Sequence, residues 1–185
     1  HAYWYVDDTR DLPIDDLRVA AEIFDNKIYP SMIRYVGDIW NPGVDNDPRL
    51  TVLHTPLGPV NGYYGSRDEF PRQVHPLSNQ REMIYLDGAK LNPGSRLYLA
   101  VLAHELQHAV HWNLDSGEDS WVNEGMSEVA AELAGYPASF VRAFLTNPGT
   151  QLNYWAGLGR SGPHYGAATL FLSYLASHYG GYEGL

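Results

Sequence analysis

The sequence predicts an α+β fold. Strand-like runs are few, short and confined to the first half, at 49–55 and 81–88. Helical spacing fills most of the second half, from Ser95 to the Gly180–Gly181 pair. The chain has 185 residues, 44% of them hydrophobic and 13% aromatic, which is enough to fill one core and too apolar for disorder. The expectation is one domain over 1–185, with a small N-terminal mixed sheet and two helices up to about 112. A mainly helical part follows from about 113, with a cleft between the two.

In chain order, "DLPIDDLRVAAEIFDNKIYPSMIRYVG" (11–37) places Leu17, Ala20, Ala21, Phe24 and Ile28 at helical spacing, with Pro13 near the first turn. "NPGVDNDP" (41–48) is loop, "RLTVLHT" (49–55) a strand, and "GPVNGYYGS" (58–66) a glycine-punctuated turn leading to a short extended piece. "REMIYLDG" (81–88) is a second strand, ended by Asp-Gly. "SRLYLAVLAHELQHAVHW" (95–112) reads as a helix capped by Ser95. "SWVNEGMSEVAAELAGY" (120–136) reads as another, with Ser120 as its cap and Gly135 just past its end. "ASFVRAFLT" (138–146) is a short helix, and "HYGAATLFLSYLASHYGG" (164–181) an amphipathic one stopped by Gly-Gly.

Composition removes whole classes of function. The formal charge is −10 with no basic stripe, which argues against nucleic acid and anionic membrane surfaces as partners. The absence of cysteine excludes disulfides, thiolate metal sites and cysteine nucleophiles. No apolar run approaches the roughly 18–20 residues of a membrane span. "HAYWYVDD" lacks the basic and apolar regions of a signal peptide.

The chemistry sits in "LAHELQHAVHW" (102–112). His104 and His108 are four apart and project from one helical face, one turn from each other. Neutral imidazole is a favoured zinc ligand, and two ligands at this spacing meet one ion without straining the helix. Glu105 leans to the same side, where a carboxylate can accept a proton from an activated water. The pattern is H-E-x-x-H, which has a chance-match risk of roughly 2% in a chain of this composition. The surrounding Leu99, Val101, Leu102, Ala103, Leu106, Ala109 and Val110 would bury these polar groups, and buried polar groups need partners. His111 lies about 10.5 Å along the axis from His104, too far to share its ion, and reads as a surface or cleft-wall group.

A catalytic zinc takes three protein ligands and leaves a fourth position open. Leu114 stands where a metzincin would place its third histidine, so the remaining donor comes from elsewhere. Glu124 and Glu128, four apart in "WVNEGMSE" (121–128), share a face of the next helix, and the short loop 113–119 lets the two helices pack antiparallel. Either glutamate could bind the ion, while the other fixes a histidine ring. "VDNDP" (44–48) offers Asp45, Asn46 and Asp47, oxygens that calcium prefers, but an Asx turn explains them as well.

"HELQH" followed by "WVNEG" resembles the gluzincin zinc metallopeptidases, which include thermolysin-like, aminopeptidase N-like and hyicolysin-like enzymes. The resemblance covers mainly residues 95–185. It implies a zincin-like fold with one catalytic zinc, bound by His104, His108 and Glu124. It also implies Glu105 as general base and Glu128 as the acid that orients His104. "PHYGAATLFLSYL" (163–175) is similar to the tyrosine-bearing helix of the aminopeptidase N-like group, which puts Tyr165 in the role of oxyanion stabiliser; His164, Tyr154 and Tyr136 are further candidates for that role. The edge strand that holds substrate in this clan maps to "NGYYGS" (61–66). The clan's G-x-M-E-N amine anchor is missing, which favours an endopeptidase acting on peptide or protein substrates. An aminopeptidase of the same clan and a non-catalytic metal-stabilised binding module are the alternatives. By analogy the expected location is extracellular.

Overall fold

The computed structural model describes residues 1–136 and 140–182 and has the α+β order expected. Four strands form one mixed sheet in the order β1-β2-β4-β3: β1 (Ala2–Val6), β2 (Leu50–Thr55), β4 (Met83–Asp87) and β3 (Gly62–Tyr64). β1 runs parallel to β2 and β2 parallel to β4, while β3 closes one edge antiparallel to β4. All five residues of β4 are buried, as an inner strand between two neighbours requires. The sequence reading does not anticipate β1. Its aromatic run "AYWYV" follows directly on the chain start, with no turn signal to set it off.

The predicted first helix is present as α1 (Ile14–Ile23) and α2 (Tyr29–Tyr35), joined by one π-helical turn over Phe24–Ile28. The wide turn comes just before Pro30, whose ring would collide with the carbonyl four residues back in a regular α-helix. Leu17, Ala20, Phe24, Ile28 and Met32 form its buried stripe, and Phe24 meets Trp4 of β1 edge-on at 5.7 Å.

α3 (Arg96–Leu114) lies on the sheet, its first turn capped by Ser95 Oγ, which accepts from the Tyr98 amide at 3.2 Å. Tyr98, Leu102, Ala103, Leu106 and Ala109 build the core between sheet and helix. His54 of β2 joins the layers: its Nδ1 meets the Tyr5 carbonyl and its Nε2 the Tyr98 hydroxyl, each at 2.8 Å. α4 (Ser120–Leu133) packs on α3. Asp119, one residue earlier than expected, takes the cap position of α4. Its end is a Schellman motif: Gly135, at φ +85°, and Tyr136 donate to the Glu132 and Ala131 carbonyls at 2.8 Å each.

α5 (Val141–Leu145) is the described part of the helix expected over 138–146; residues 138 and 139 lie outside the described residues. α6 (Gly162–His178) differs from the amphipathic expectation. Its buried face is made mostly of small residues, Gly166, Ala167, Ala168, Thr169 and Ala176, beside His164 and Leu172, and its outer face carries Leu170, Phe171 and Tyr174. Close approach explains the inversion. A Cβ on Gly125 of α4 would lie 2.8 Å from Ala168 and Leu172, so the helices meet too closely there for any side chain at position 125. No described helix is long and apolar enough to cross a membrane.

Candidate metal centre

α3 and α4 bring three donor atoms to one point. His104 Nε2 lies 3.2 Å from His108 Nε2 and 3.2 Å from Glu124 Oε2, and His108 Nε2 lies 3.6 Å from the same oxygen. Ligand atoms on a tetrahedral zinc stand about 3.3–3.4 Å apart when Zn–N is near 2.0–2.1 Å. The triangle therefore fits one such ion, and among the described residues it is the cluster suited to a metal. Its nitrogen–nitrogen–oxygen donor set is compatible with zinc. Glu124 Oε2 is buried and faces the two histidine Nε2 atoms, as a metal-facing oxygen would.

The electrostatics also call for a cation. Burial alone would lower the His104 pKa, but hydrogen bonds to Glu124 and Glu128 outweigh it and hold the ring up to about 10. Burial alone would raise Glu124, yet the two histidines hold it far below the usual carboxylate range. Three carboxylates thus compete for positive charge around two imidazoles.

Each histidine is held from behind. His104 Nδ1 meets Glu128 Oε1 at 3.1 Å. His108 Nδ1 meets Asn123 Oδ1 at 2.8 Å and Ser127 Oγ at 3.1 Å. Ser127 in turn donates to Gln107 Oε1, and Gln107 Nε2 reaches His111 at 3.2 Å. With an ion in place of the proton between the imidazoles and Glu124, a proton kept on each Nδ1 would leave each Nε2 lone pair to the metal. The sequence reading assigns no role to Asn123, Ser127 or Gln107. The signal for Asn123 was inside the quoted "WVNEG", one position before the donor glutamate.

Glu105 is buried beside the donors, and burial pushes its pKa up. Strand β3 lies directly over it: a Cβ on Gly62 would meet both the Glu105 carboxylate and Val101. A cavity of about 410 Å³ opens on the His104 side, with Val101, Glu105, Tyr136, Phe140 and Tyr165 in its wall. A second, of about 310 Å³, opens on the His108 side between Tyr63, Arg67, Trp112 and Glu118. β3 runs past both.

Tyr165, in the first turn of α6, is at the site. Its ring centroid lies 6.0 Å from that of His104, and it shares the cavity wall with His104 and Glu105. Burial and then the neighbouring Glu124 raise its pKa, so the hydroxyl keeps its proton. Trp155 and Phe140 hold the ring at 4.8 and 5.0 Å. Tyr136 also lines the cavity, but His164 is buried against Tyr154 and Trp155, away from the cavity wall, and Tyr154 is exposed. His111 stays outside the donor cluster. For calcium at Asp45 and Asp47, the structure favours the turn instead: Asp45 Oδ1 accepts from the Asp47 amide at 2.9 Å. The Asp47 carboxylate is already paired with the Arg49 guanidinium, at 2.8 and 3.1 Å.

No family model matches the chain, and no curated protein sequence matches it.

Proposed function

We propose that this chain is a zinc-dependent endopeptidase of gluzincin type with a zincin-like fold, exported from the cell. The observation that carries the reading is the meeting of His104, His108 and Glu124 at zinc-ligand separations beside a buried glutamate in a cleft. His104, His108 and Glu124 would hold the zinc, which when bound would supply the Lewis acidity that activates water near neutral pH.

The chain's own residues divide the remaining work. The Glu105 carboxylate takes the proton from the attacking water and delivers it to the leaving amine, a role suited by a pKa raised through burial. The Tyr165 hydroxyl donates to the oxygen on which negative charge develops. Glu128 and Asn123 keep the two imidazoles aimed. The substrate backbone adds to the free edge of β3, which passes over Glu105. Cavities on both sides of the donors support a substrate that continues in both directions, and hence internal cleavage.

The test is zinc content measured beside cleavage of an unstructured, end-blocked protein, with and without a chelator. One zinc per chain with chelator-sensitive internal cuts is the expected result. One zinc with no cutting of any substrate would instead favour a binding module, and cutting confined to free N-termini an aminopeptidase.

A further inference from the structure

Away from the metal centre, two glutamates lie in the protein interior on adjacent segments, which the Arg81 amide ties together by donating to the Asp68 carbonyl at 2.9 Å. Glu69 ends the 3₁₀ turn Ser66–Glu69 that follows β3, and Glu82 immediately precedes β4. They are only 3% and 1% exposed. Glu69 Oε1 accepts from the Tyr64 hydroxyl at 3.0 Å, and Glu82 Oε1 accepts from the Val44 amide at 3.1 Å. The second oxygen of each, Oε2, has no donor. The backbone of Gly43 is pressed onto the Glu82 carboxylate, where a Cβ would overlap it, so the pair is sealed on that side. Two ionised carboxylates cannot be satisfied in such a place, whereas one proton between them satisfies both free oxygens at once.

We propose that Glu69 and Glu82 share one proton and form an acid–carboxylate clasp that fastens the segment after β3 to the start of β4, so that deprotonation loosens the strand over the cleft. The surroundings agree. The titratable neighbours acting on Glu69 are Glu82, Tyr64 from β3 and Asp68 from its own turn. Burial first, then Glu82, pushes the Glu69 pKa up to about 8. Asp68 is a second tie of the same turn: it accepts from the Asn79 amide at 2.7 Å and the Tyr85 hydroxyl at 2.6 Å. The clasp therefore governs only part of the anchorage. Its bearing on β3 stands whatever reaction the cleft performs, because Tyr64, the last residue of β3, hangs from Glu69.

The sign follows from linkage. The clasped form keeps a proton that the open form releases from about pH 4.5, the ordinary value, upward. Opening should therefore become easier by up to about tenfold per pH unit between about 4.5 and 8, then level off. Hydrogen exchange on the full chain, corrected for intrinsic rates, reads this as falling protection across residues 62–70. In Glu82→Gln and Glu69→Gln an amide N–H replaces the shared proton, and the slope should vanish while protection in α3 stays unchanged. A wild-type slope retained in Glu82→Gln, or no slope in the wild type, would overturn the proposal. So would protection at pH 8 that calcium restores in the wild type and not in Glu82→Gln, since a cation would then be the pair's partner.

Discussion

Glu105 and the residues behind the histidines are separable by substitution, because they touch different atoms. Glu105→Gln should keep one zinc and lose activity by about 10²–10⁴-fold, the range for removing a general base; substantial residual cleavage would refute that role. Glu124→Ala should lose tight zinc binding, and a variant that kept it would move the donor role to Glu128. Asn123→Ala should weaken zinc about tenfold, the low end for outer groups, since Ser127 still reaches His108 Nδ1; competition with a calibrated chelator measures it. The difference between these residues is also the difference between what could and could not be read in advance. His104 and His108 were legible because helical periodicity alone puts them on one face. The partition between Glu124 and Glu128 rested on resemblance, and the geometry separates them: Glu124 reaches both Nε2 atoms, Glu128 only an Nδ1. The pairing of Asn123 with His108 depends on how α3 and α4 dock, which no local pattern encodes.

Elements were legible where period and punctuation agree. α3, α4, β2 and β4 fall within about two residues of their expected bounds, with Ser95 and Gly135 at the predicted positions. The π-helical turn before Pro30 and strand β1 were not legible, since one is a steric response and the other gains its identity from pairing with β2. Close contacts at glycines belong to the same scale. Ala in place of a helical Gly normally gains up to about 1 kcal/mol. Gly125→Ala should do the reverse, costing about 1–3 kcal/mol, because the added methyl meets Ala168 and Leu172 at 2.8 Å. It should also draw Tyr165 back from Glu124, as both helices carry that geometry. A thermal melt decides the first point, and a rise in Tm would refute the packing argument.

For the whole molecule, the link between sheet and helices depends on pH through His54. Burial lowers its pKa from 6.5, against the hydrogen bond that Nδ1 donates to the Tyr5 carbonyl, which raises it. A histidine kept neutral when folded contributes stability above about pH 6.5, and that contribution is lost as pH falls through the depressed folded value. The wild type should therefore lose Tm on acidification more steeply than His54→Gln, and equal slopes would remove His54 from the account. Strand partners were the least legible feature, because β1 pairs with β2 from Ala2 to Leu50 across an intervening helix, and distance along the chain erases the pattern. The donor cluster has the opposite character. Among the described residues, the three donors and the groups that meet the histidine Nδ1 atoms, Glu128, Asn123 and Ser127, lie between residues 104 and 128, in one antiparallel helix pair. Contacts so near in sequence close quickly, while the parallel strand pairings close slowly. Refolding should therefore run faster with zinc present than without it, the ion serving as a nucleus for the helix pair before the sheet is complete, and equal rates would remove the ion from the folding path.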